Sequence, residues 1–318
     1  MTARAKVQIQ IPDGEAAAGR SPTLWARLAR NHWAVVSLVF LVAVVVAAVV
    51  GPALYQALAS ADMQPLRAPD YQDYTISGPA ESWPSATHWL GGDDLGRDTL
   101  ARLLTGLRVS LAVALLVETI NIVLGATLGL LAGTFGGWVD QVVSRLADML
   151  FAFPGLLLAI LISAIFGAAA QEVAGDMGRL LLVSTALALV SWPLMARFVR
   201  GQTLSLRQRD FVQAAEAIGA RQSHIMLRHI LPNVTGLIIT AATLDMASVV
   251  LNEAVLSLLG LGIQPPGSSL GLMINQAQPH LEQNWFQLAV PGLTLTLLVL
   301  AFSFLGDGIR DALDPTTG

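Results

Sequence analysis

Polar and ionisable side chains inside otherwise apolar stretches are the first residues of this sequence that could do chemistry. Glu118 and Asn121 interrupt one apolar stretch, while Asp245, Asn252 and Glu253 interrupt another. An ionisable group at membrane depth is expensive and usually faces a bundle interior or a wet cavity. Glu118, Asn121, Asp245 and Asn252 are therefore candidates for a translocation pathway. Glu118 could contact a cationic amine of a cargo, or it could equally be a hydrogen-bonded packing residue.

No catalytic residue is predicted. The five histidines lie at span ends or in loops, and no HExxH motif occurs, so an intramembrane metalloprotease is disfavoured. The sequence contains no cysteine, which excludes a disulfide framework and a thiolate metal site. His88 with Asp93, Asp94 and Asp98 could suggest a metal site. The preferred interpretation is a tight turn in which Asp–Arg pairing fixes the entry of the next helix, so no metal is predicted.

The composition is that of a polytopic membrane protein. Of its 318 residues, 54% are hydrophobic and 13% are charged, whereas a soluble domain carries about 25% charged residues. The net charge of −4 argues against a nucleic-acid partner. The only lysine, Lys6, follows no glycine-rich run, so the chain has no Walker A phosphate loop. The chain is therefore not an ATPase, and any ATP hydrolysis must come from a partner.

Apolar runs predict six transmembrane helices. The first run, 33–50, is uncharged and too long for a signal-peptide core, so we expect a retained helix although residues 57–59 resemble a cleavage site. Five Lys or Arg residues precede this run and three lie in the loop at 55–106, which predicts cytoplasmic termini. The predicted order is a tail with a short amphipathic helix at 1–31, a first transmembrane helix at 32–54, an extracytoplasmic loop at 55–106, a membrane core at 107–310 with a cytoplasmic loop at 200–233, and a tail at 311–318.

Two features of the core bear on helix packing. Gly125, Gly129 and Gly133 recur every four residues in the second span, which predicts one smooth face for close helix approach. The third span is predicted to contain Arg145, paired with Asp148, and a break at 152–154, before an external loop at 167–178.

A charged, helix-forming segment at 210–232 separates two apolar stretches. Asp210 is predicted to cap a helix whose N3 residue is Gln213. Gly219 is predicted to end that helix in a left-handed turn, and Pro232 to end a second helix that begins at about residue 222. One apolar face is predicted for the first helix, formed by Phe211, Ala214, Ala215 and Ile218.

This segment resembles the EAA loop of ABC-importer membrane subunits, which reads here Gln213-Ala214-Ala215, then Gly219, His229 and Leu231-Pro232. Gln213 stands where the family has Glu, and His229 stands where it has an apolar residue. In the family this loop is the cytoplasmic coupling helix that inserts into a cleft of the ATPase subunit. The resemblance therefore implies an ATPase-coupling role for Asp210, Phe211, Gln213, Ala214, Ala215, Gly219, Ala220, His229, Leu231 and Pro232.

Four further passages resemble the C-type permease subunits of dipeptide, oligopeptide and nickel importers. They read HWLGGDDLGRD, GGWVDQVVSRLADMLFAFPGLLLAI, EAVLSLLGLGIQPPGSSLGLMI and FLGDGIRDALDP, in chain order. The resemblance implies structural roles for the residues that match these motifs, namely Gly91, Asp93, Gly96, Arg97, Asp98, Pro154 and Glu253.

The resemblance implies an all-α fold with six transmembrane helices, a type I ABC-importer permease with a five-helix core and an extra N-terminal helix in the bacterial inner membrane. The implied partners are a homologous second permease, two ATP-binding subunits, an extracytoplasmic binding protein and membrane lipid. No cofactor is expected on this chain, since ATP–Mg would bind the partner subunits. The implied cargo is a dipeptide, an oligopeptide, a glutathione-like solute or a nickel complex. The alternative is a secondary transporter or channel without ATPase partners, which the membrane carboxylates fit but the 210–232 loop does not.

Overall fold

The computed structural model describes residues 24–59, 63–76 and 78–313, and these residues form helices, turns and no strand. Residues 1–23 of the predicted tail at 1–31, and residues 314–318, lie outside the described ranges. The α-helices are α1 Leu24–Leu28, α2 His32–Ala57, α3 Thr99–Ile120, α4 Thr127–Phe135, α5 Gly137–Phe151, α6 Gly155–Arg207, α7 Asp210–Ala217, α8 Gln222–Ile225, α9 Leu231–Leu258, α10 Leu270–Ala277 and α11 Phe286–Leu313.

Two π-helical segments join helices without a break in direction. Asn121–Ala126 connects α3 to α4, and Met226–Ile230 connects α8 to α9. Each pair therefore makes one continuous apolar helix, Thr99–Phe135 and Gln222–Leu258. π-segments inside helices occur often at functional sites, because the wider turn redirects the side chains on it.

Five helices of the described residues are long and apolar enough to cross a membrane. The longest, α6, has 53 residues and would measure about 80 Å if straight, against about 30 Å for the hydrocarbon core. Its helical geometry fails at Ala174 and Gly175, and Gly178 packs on the carbonyl of Ala170. A Cβ added at Gly155, at the start of α6, would lie 3.5 Å from Cβ of Val190, so the chain reverses between these residues, and the two arms of α6 bring the crossing segments to six, the number predicted.

The predicted third span is wrong at its start. Arg145 and Asp148 lie on α5, a separate helix, and Pro154 is the N-cap of α6, where its fixed φ suits a helix start. Asp148 of α5 pairs with Arg197 of α6 and not with Arg145, because Nη2 of Arg197 lies 2.6 Å from Oδ1 of Asp148. The predicted external loop at 167–178 is a helical hairpin.

The glycine face predicted in the second span is confirmed. A Cβ added at Gly125 would lie 2.7 Å from the carbonyl oxygen of Trp192, and one at Gly129 2.5 Å from that of Ala196. At Gly133 the added atom would lie 2.6 Å from Cβ of Thr203. The stretch 125–133 therefore packs directly on the backbone of the C-terminal arm of α6.

An ion pair between Asp140 and Arg200 ties the start of α5 to the same arm of α6. Nη2 of Arg200 donates to Oδ2 of Asp140 at 2.6 Å, and Nε donates to Oδ1. The hydrogen bonds from Arg200 lower the pKa of Asp140 below its ordinary value.

This lowered pKa predicts a stability that depends on pH. A carboxyl whose folded pKa is depressed stabilises the fold above its unfolded pKa, about 3.9, and loses that contribution as the pH falls through the folded pKa. We expect Asp140→Asn to lower the thermal midpoint in detergent at pH 7, and the difference from wild type to shrink towards pH 3. An equal difference at both pH values would contradict this account of the pair.

Candidate coupling surface and translocation pathway

The 210–232 segment forms two short helices, but the predicted capping box is wrong. Arg209 is the N-cap residue of α7, and Asp210 is already the first helical residue. The amide of Gln213 reaches back to the carbonyl oxygen of Gln208 at 3.3 Å instead of bonding a cap residue. Asp210 still favours this helix end, because a carboxylate in the first turn interacts well with the helix dipole.

The predicted glycine turn is confirmed, whereas the predicted stop at Pro232 is wrong. Gly219 has φ +82°, a left-handed conformation that favours glycine. Pro232 lies in the first turn of α9, directly after the π-segment Met226–Ile230, and the helix continues through it. A proline is tolerated there because the π-segment directly before it already interrupts the regular backbone hydrogen-bond pattern of the continuous helix.

The four apolar residues predicted on one face of α7 divide between two environments. Ala215 is buried, together with Val212, against Ile225 and Ile230. Phe211, Ala214 and Ile218 are exposed, and Ile218 is 86% exposed. The hydrophobic effect disfavours a large exposed aliphatic side chain, so the outer face of α7 has the character of an unfilled contact surface. We call Phe211, Ala214 and Ile218 the outer face.

Polar contacts brace the segment from the sides. Glu216 accepts a hydrogen bond from the amide of Gln222 at 3.1 Å and lies 3.7 Å from Nη2 of Arg207. His229, at the position that departs from the family pattern, lies between Phe211 and His224, with ring centroids 6.5 and 5.8 Å away. Ala220 donates its N–H to the carbonyl of Ala215. α7 is therefore held against α6 and α8 as a compact projection.

Sequence reasoning missed the residues that anchor this projection. Val212, Ile225 and Ile230 are fully or almost fully buried and join a core cluster with Met195 and Val199 of α6. In the sequence these three residues could have been identified as apolar residues between the motif positions. Leu231, a predicted coupling residue, packs on the edge of the same cluster.

Three of the four pathway candidates meet in the middle of the bundle. The amide nitrogen of Asn121 lies 3.1 Å from Oδ2 of Asp245 and 3.5 Å from Oε2 of Glu118. The hydroxyl of Ser191, which sequence reasoning did not select, donates to Oδ1 of Asn121 at 2.9 Å. Asn252 lies two turns further along α9, about 10 Å away, and is not part of this cluster.

Glu253 lies in a separate buried polar site. It accepts hydrogen bonds from the hydroxyl of Ser110 at 2.8 Å and from that of Ser257 at 2.7 Å, and it is 1% exposed. The bond from Ser110 joins α3 to α9 through Oε2, whereas Ser257 lies on α9 itself, one turn beyond Glu253. Buried charges need such partners, so the site holds two helices together.

The motif at 91–98 forms the tight turn that precedes α3. Gly91 and Gly96 have φ +77° and +73°. Asp93 accepts the backbone N–H of Arg97, and its other oxygen lies 2.7 Å from Nε of Arg97. Asp98 is the N-cap of α3 and accepts the N–H of Ala101 at 2.8 Å. The turn therefore fixes where α3 begins.

Asp98 also ties this turn to the first membrane helix. The hydroxyl of Tyr55, in α2, donates to Oδ2 of Asp98 at 2.9 Å, and Nδ1 of His88 lies 3.5 Å from the same atom. Burial raises the pKa of Asp98, although the N–H of Ala101 and the hydroxyl of Tyr55 donate to it. Among the described residues, no group of three or more His, Cys, Asp or Glu side chains is placed to hold a metal ion.

The described residues form a helical bundle in which five helices are long and apolar enough to cross a membrane, as in a polytopic membrane protein. Residues 125–318 match the family described as the binding-protein-dependent transport system inner membrane component. Residues 23–72 match the N-terminal transmembrane domain of oligopeptide transport permease C. The chain therefore belongs to the binding-protein-dependent ABC-importer permeases, as a multi-pass inner-membrane subunit.

Two related permease proteins and one solved transporter structure support this assignment. The glutathione transport system permease protein GsiD of Pectobacterium atrosepticum is 39% identical over 92% of this chain and 89% of its own length. The dipeptide transport system permease protein DppC of Alkalihalophilus pseudofirmus is 36% identical over 91% of this chain and 88% of its own. An inward-facing structure of the MetNI methionine ABC transporter matches the fold with a TM-score of 0.54, at 21% identity, over 67% of this chain and 96% of that one.

Family membership decides between the two functions that the sequence left open. The chain is a transporter component, and ATPase activity lies in partner subunits of the importer. A secondary transporter or channel that works without such subunits finds no support in these relatives. The predicted all-α permease fold is likewise confirmed.

Proposed function

We propose that this permease imports peptides or related small solutes that carry a free amine, such as dipeptides, oligopeptides or glutathione-like molecules. Two relatives that align along most of the chain are named for glutathione and dipeptide transport, which supports this cargo class. A nickel complex is a less favoured cargo, because neither of these relatives is named for it. Uptake of labelled dialanine by the complete importer tests the proposal, and failure to transport any peptide would overturn it.

The complete importer contains a homologous second permease, two ATP-binding subunits that carry ATP–Mg and an extracytoplasmic binding protein. Both termini of this chain and the 210–232 segment lie in the cytoplasm, since six arginines flank or lie in that segment. The loop at 55–106 then lies outside, where its exposed side chains, such as Tyr74, are available to a binding protein.

The outer face of α7 is the surface that contacts an ATP-binding subunit. The observation that carries this proposal is the opposite placement of neighbouring residues, with Ala215 packed into the core while Ala214 and Ile218 remain open. A partner cleft would cover the exposed aliphatic side chain, and the small Ala214 would let the partner come close. ATP-driven closure of the partner subunits can then move α7 and the spans that hold it.

Ile218→Arg is expected to weaken association with the ATP-binding subunits at least tenfold, because an interface core excludes an unpaired charge. The measurement is a pull-down of the tagged chain from mild detergent, with the co-purifying subunits quantified. Ala215 is unsuitable for this test, since a large residue there would disrupt the chain's own core.

Tyr74→Arg provides the matched control. Tyr74 is 87% exposed, nearly the same as Ile218, but it lies in the loop at 55–106. This variant should retain the ATP-binding subunits at the wild-type level. Wild-type recovery of those subunits with Ile218→Arg would refute the coupling role of the outer face.

A further inference from the structure

A cavity of about 740 Å³ opens between the ends of α6, α9 and α11 that the proposed orientation places in the cytoplasm. Gln202, Asn233 and Arg310 lie near its mouth, and Thr240 and Leu244 line it further along α9. Leu244 lies 13 residues beyond the first residue of α9, which places it about 20 Å from that helix end. The cavity therefore reaches from the surface towards the middle of the membrane.

The polar cluster of Glu118, Asn121, Ser191 and Asp245 includes residues from α6 and α9, two of the helices that line this cavity, beyond its innermost lining residues. On α9, Asp245 follows the lining residue Ala241 by four residues, so the two share a helical face. On α6, Ser191 shares a helical face with two lining residues, Phe198 and Gln202, because they follow it by seven and eleven residues. Ser191 and Asp245 are partly exposed, so the cluster is open on one side.

Two carboxyl groups, Glu118 and Asp245, contact each other and share a single amide group, whose two N–H donors cannot reach all four carboxyl oxygens. Oε1 of Glu118 has no hydrogen-bond partner among the described residues, although this side chain is only 4% exposed. Neither carboxylate forms an ion pair within the described part of the chain.

The π-segment that begins at Asn121 accounts for the arrangement of the donors. Asn121 is the first residue of this segment and is fully buried; its nitrogen faces the two carboxyl groups and its oxygen accepts from Ser191. Asn121 is thereby fixed as a spacer between Glu118 and Asp245. A compact group with several donors and a positive charge would complement the remaining carboxylate oxygens, as a primary ammonium does with its three N–H bonds.

We propose that Glu118 and Asp245, held by Asn121, bind the ammonium group of a peptide-type cargo as it occupies the cavity open to the cytoplasm. This site deepens the proposed function and rests on it for the presence of an amine in the cargo. The site gives the permease its own contact with the free amine that dipeptides, oligopeptides and glutathione share, independently of the binding protein.

The test uses the complete importer in liposomes of phosphatidylcholine, which supply no primary amine from lipid. Dialanine added on the ATPase side should occupy the cavity and slow the uptake of labelled dialanine. N-acetyl-dialanine should need about tenfold higher concentration to inhibit uptake to the same extent. Asp245→Asn and Glu118→Gln should each remove this difference between the two peptides. Equal inhibition by both peptides in the wild type, or an unchanged difference in both variants, would overturn the proposal.

Two controls separate folding and function from binding. Asp245→Glu keeps a carboxylate and should retain the preference for dialanine, while gel filtration shows whether each variant assembles. A loss of preference in Asp245→Glu as complete as that in Asp245→Asn would count against recognition by charge. An importer that transports no peptide would overturn the proposed function, whereas normal uptake without any effect of amine on the ATPase side would overturn this site alone.

Discussion

Replacing Gly129 by leucine is expected to destabilise the helix bundle by about 3 kcal/mol or more, at the upper end of what overpacking costs. A Cβ at this position would lie 2.5 Å from the carbonyl oxygen of Ala196 and 2.9 Å from Cβ of Val199. The backbone of α6 cannot rotate away as a flexible side chain could, so the two helices must separate. That separation would also remove the buried contacts of Leu130 and Ala132 on either side.

Gly201→Leu is the matched control, since a Cβ there meets nothing within 4 Å. The free energy of unfolding in mixed micelles should fall sharply for Gly129→Leu and change by less than about 0.5 kcal/mol for Gly201→Leu. Equal losses in the two variants would mean that close approach at Gly129 does not govern the packing of 125–133 on α6.

Replacing Asp98 by alanine is expected to cost about 3 kcal/mol. The change removes the N-cap bond to Ala101, worth about 1 kcal/mol, and the hydrogen bond from Tyr55, worth about 1.5–3 kcal/mol when the acceptor is charged. It also leaves the buried ring of His88 without its neighbour at 3.5 Å. We expect the loop at 63–98 to lose its attachment to α2 before the membrane core unfolds.

Proteolysis of the loop at 63–98 measures its attachment to α2, and thermal unfolding in detergent measures the loss of stability. Asp98→Asn retains the acceptor for Ala101 and should lose less stability than Asp98→Ala. Asp70→Ala, at an exposed position in the same loop, should behave as wild type. A loop that resists protease equally in Asp98→Ala and in wild type would contradict the role of Asp98 as a clamp.

The sequence by itself determined the class of protein. Composition and apolar runs required membrane helices, because a membrane span must satisfy its backbone hydrogen bonds internally. The regular spacing of Gly125, Gly129 and Gly133 was sufficient to predict close helix packing, and Gly219 was sufficient to predict a left-handed turn. These features depend on local geometry, which residues close in sequence specify.

Only the tertiary structure decided which helix ends and faces were used. Pro232 did not end a helix, because it directly follows the π-segment Met226–Ile230 and the helix continues through it. Arg209, and not Asp210, is the N-cap residue of α7. The apolar residues of α7 divided between core and surface because α6 and α8 cover only one side of that helix. A helical period identifies a face but does not specify what packs against it.

The meeting of Glu118 and Asp245 was also decided by tertiary structure. The two carboxylates are 127 positions apart in the sequence, and Ser191 joins them from a third helix. Each could be recognised alone as a costly charge in the membrane, but their common partner, Asn121, emerges only when α3, α6 and α9 pack together. Contacts between helices depend on the shape of whole packed surfaces, and no local pattern in the chain encodes that shape.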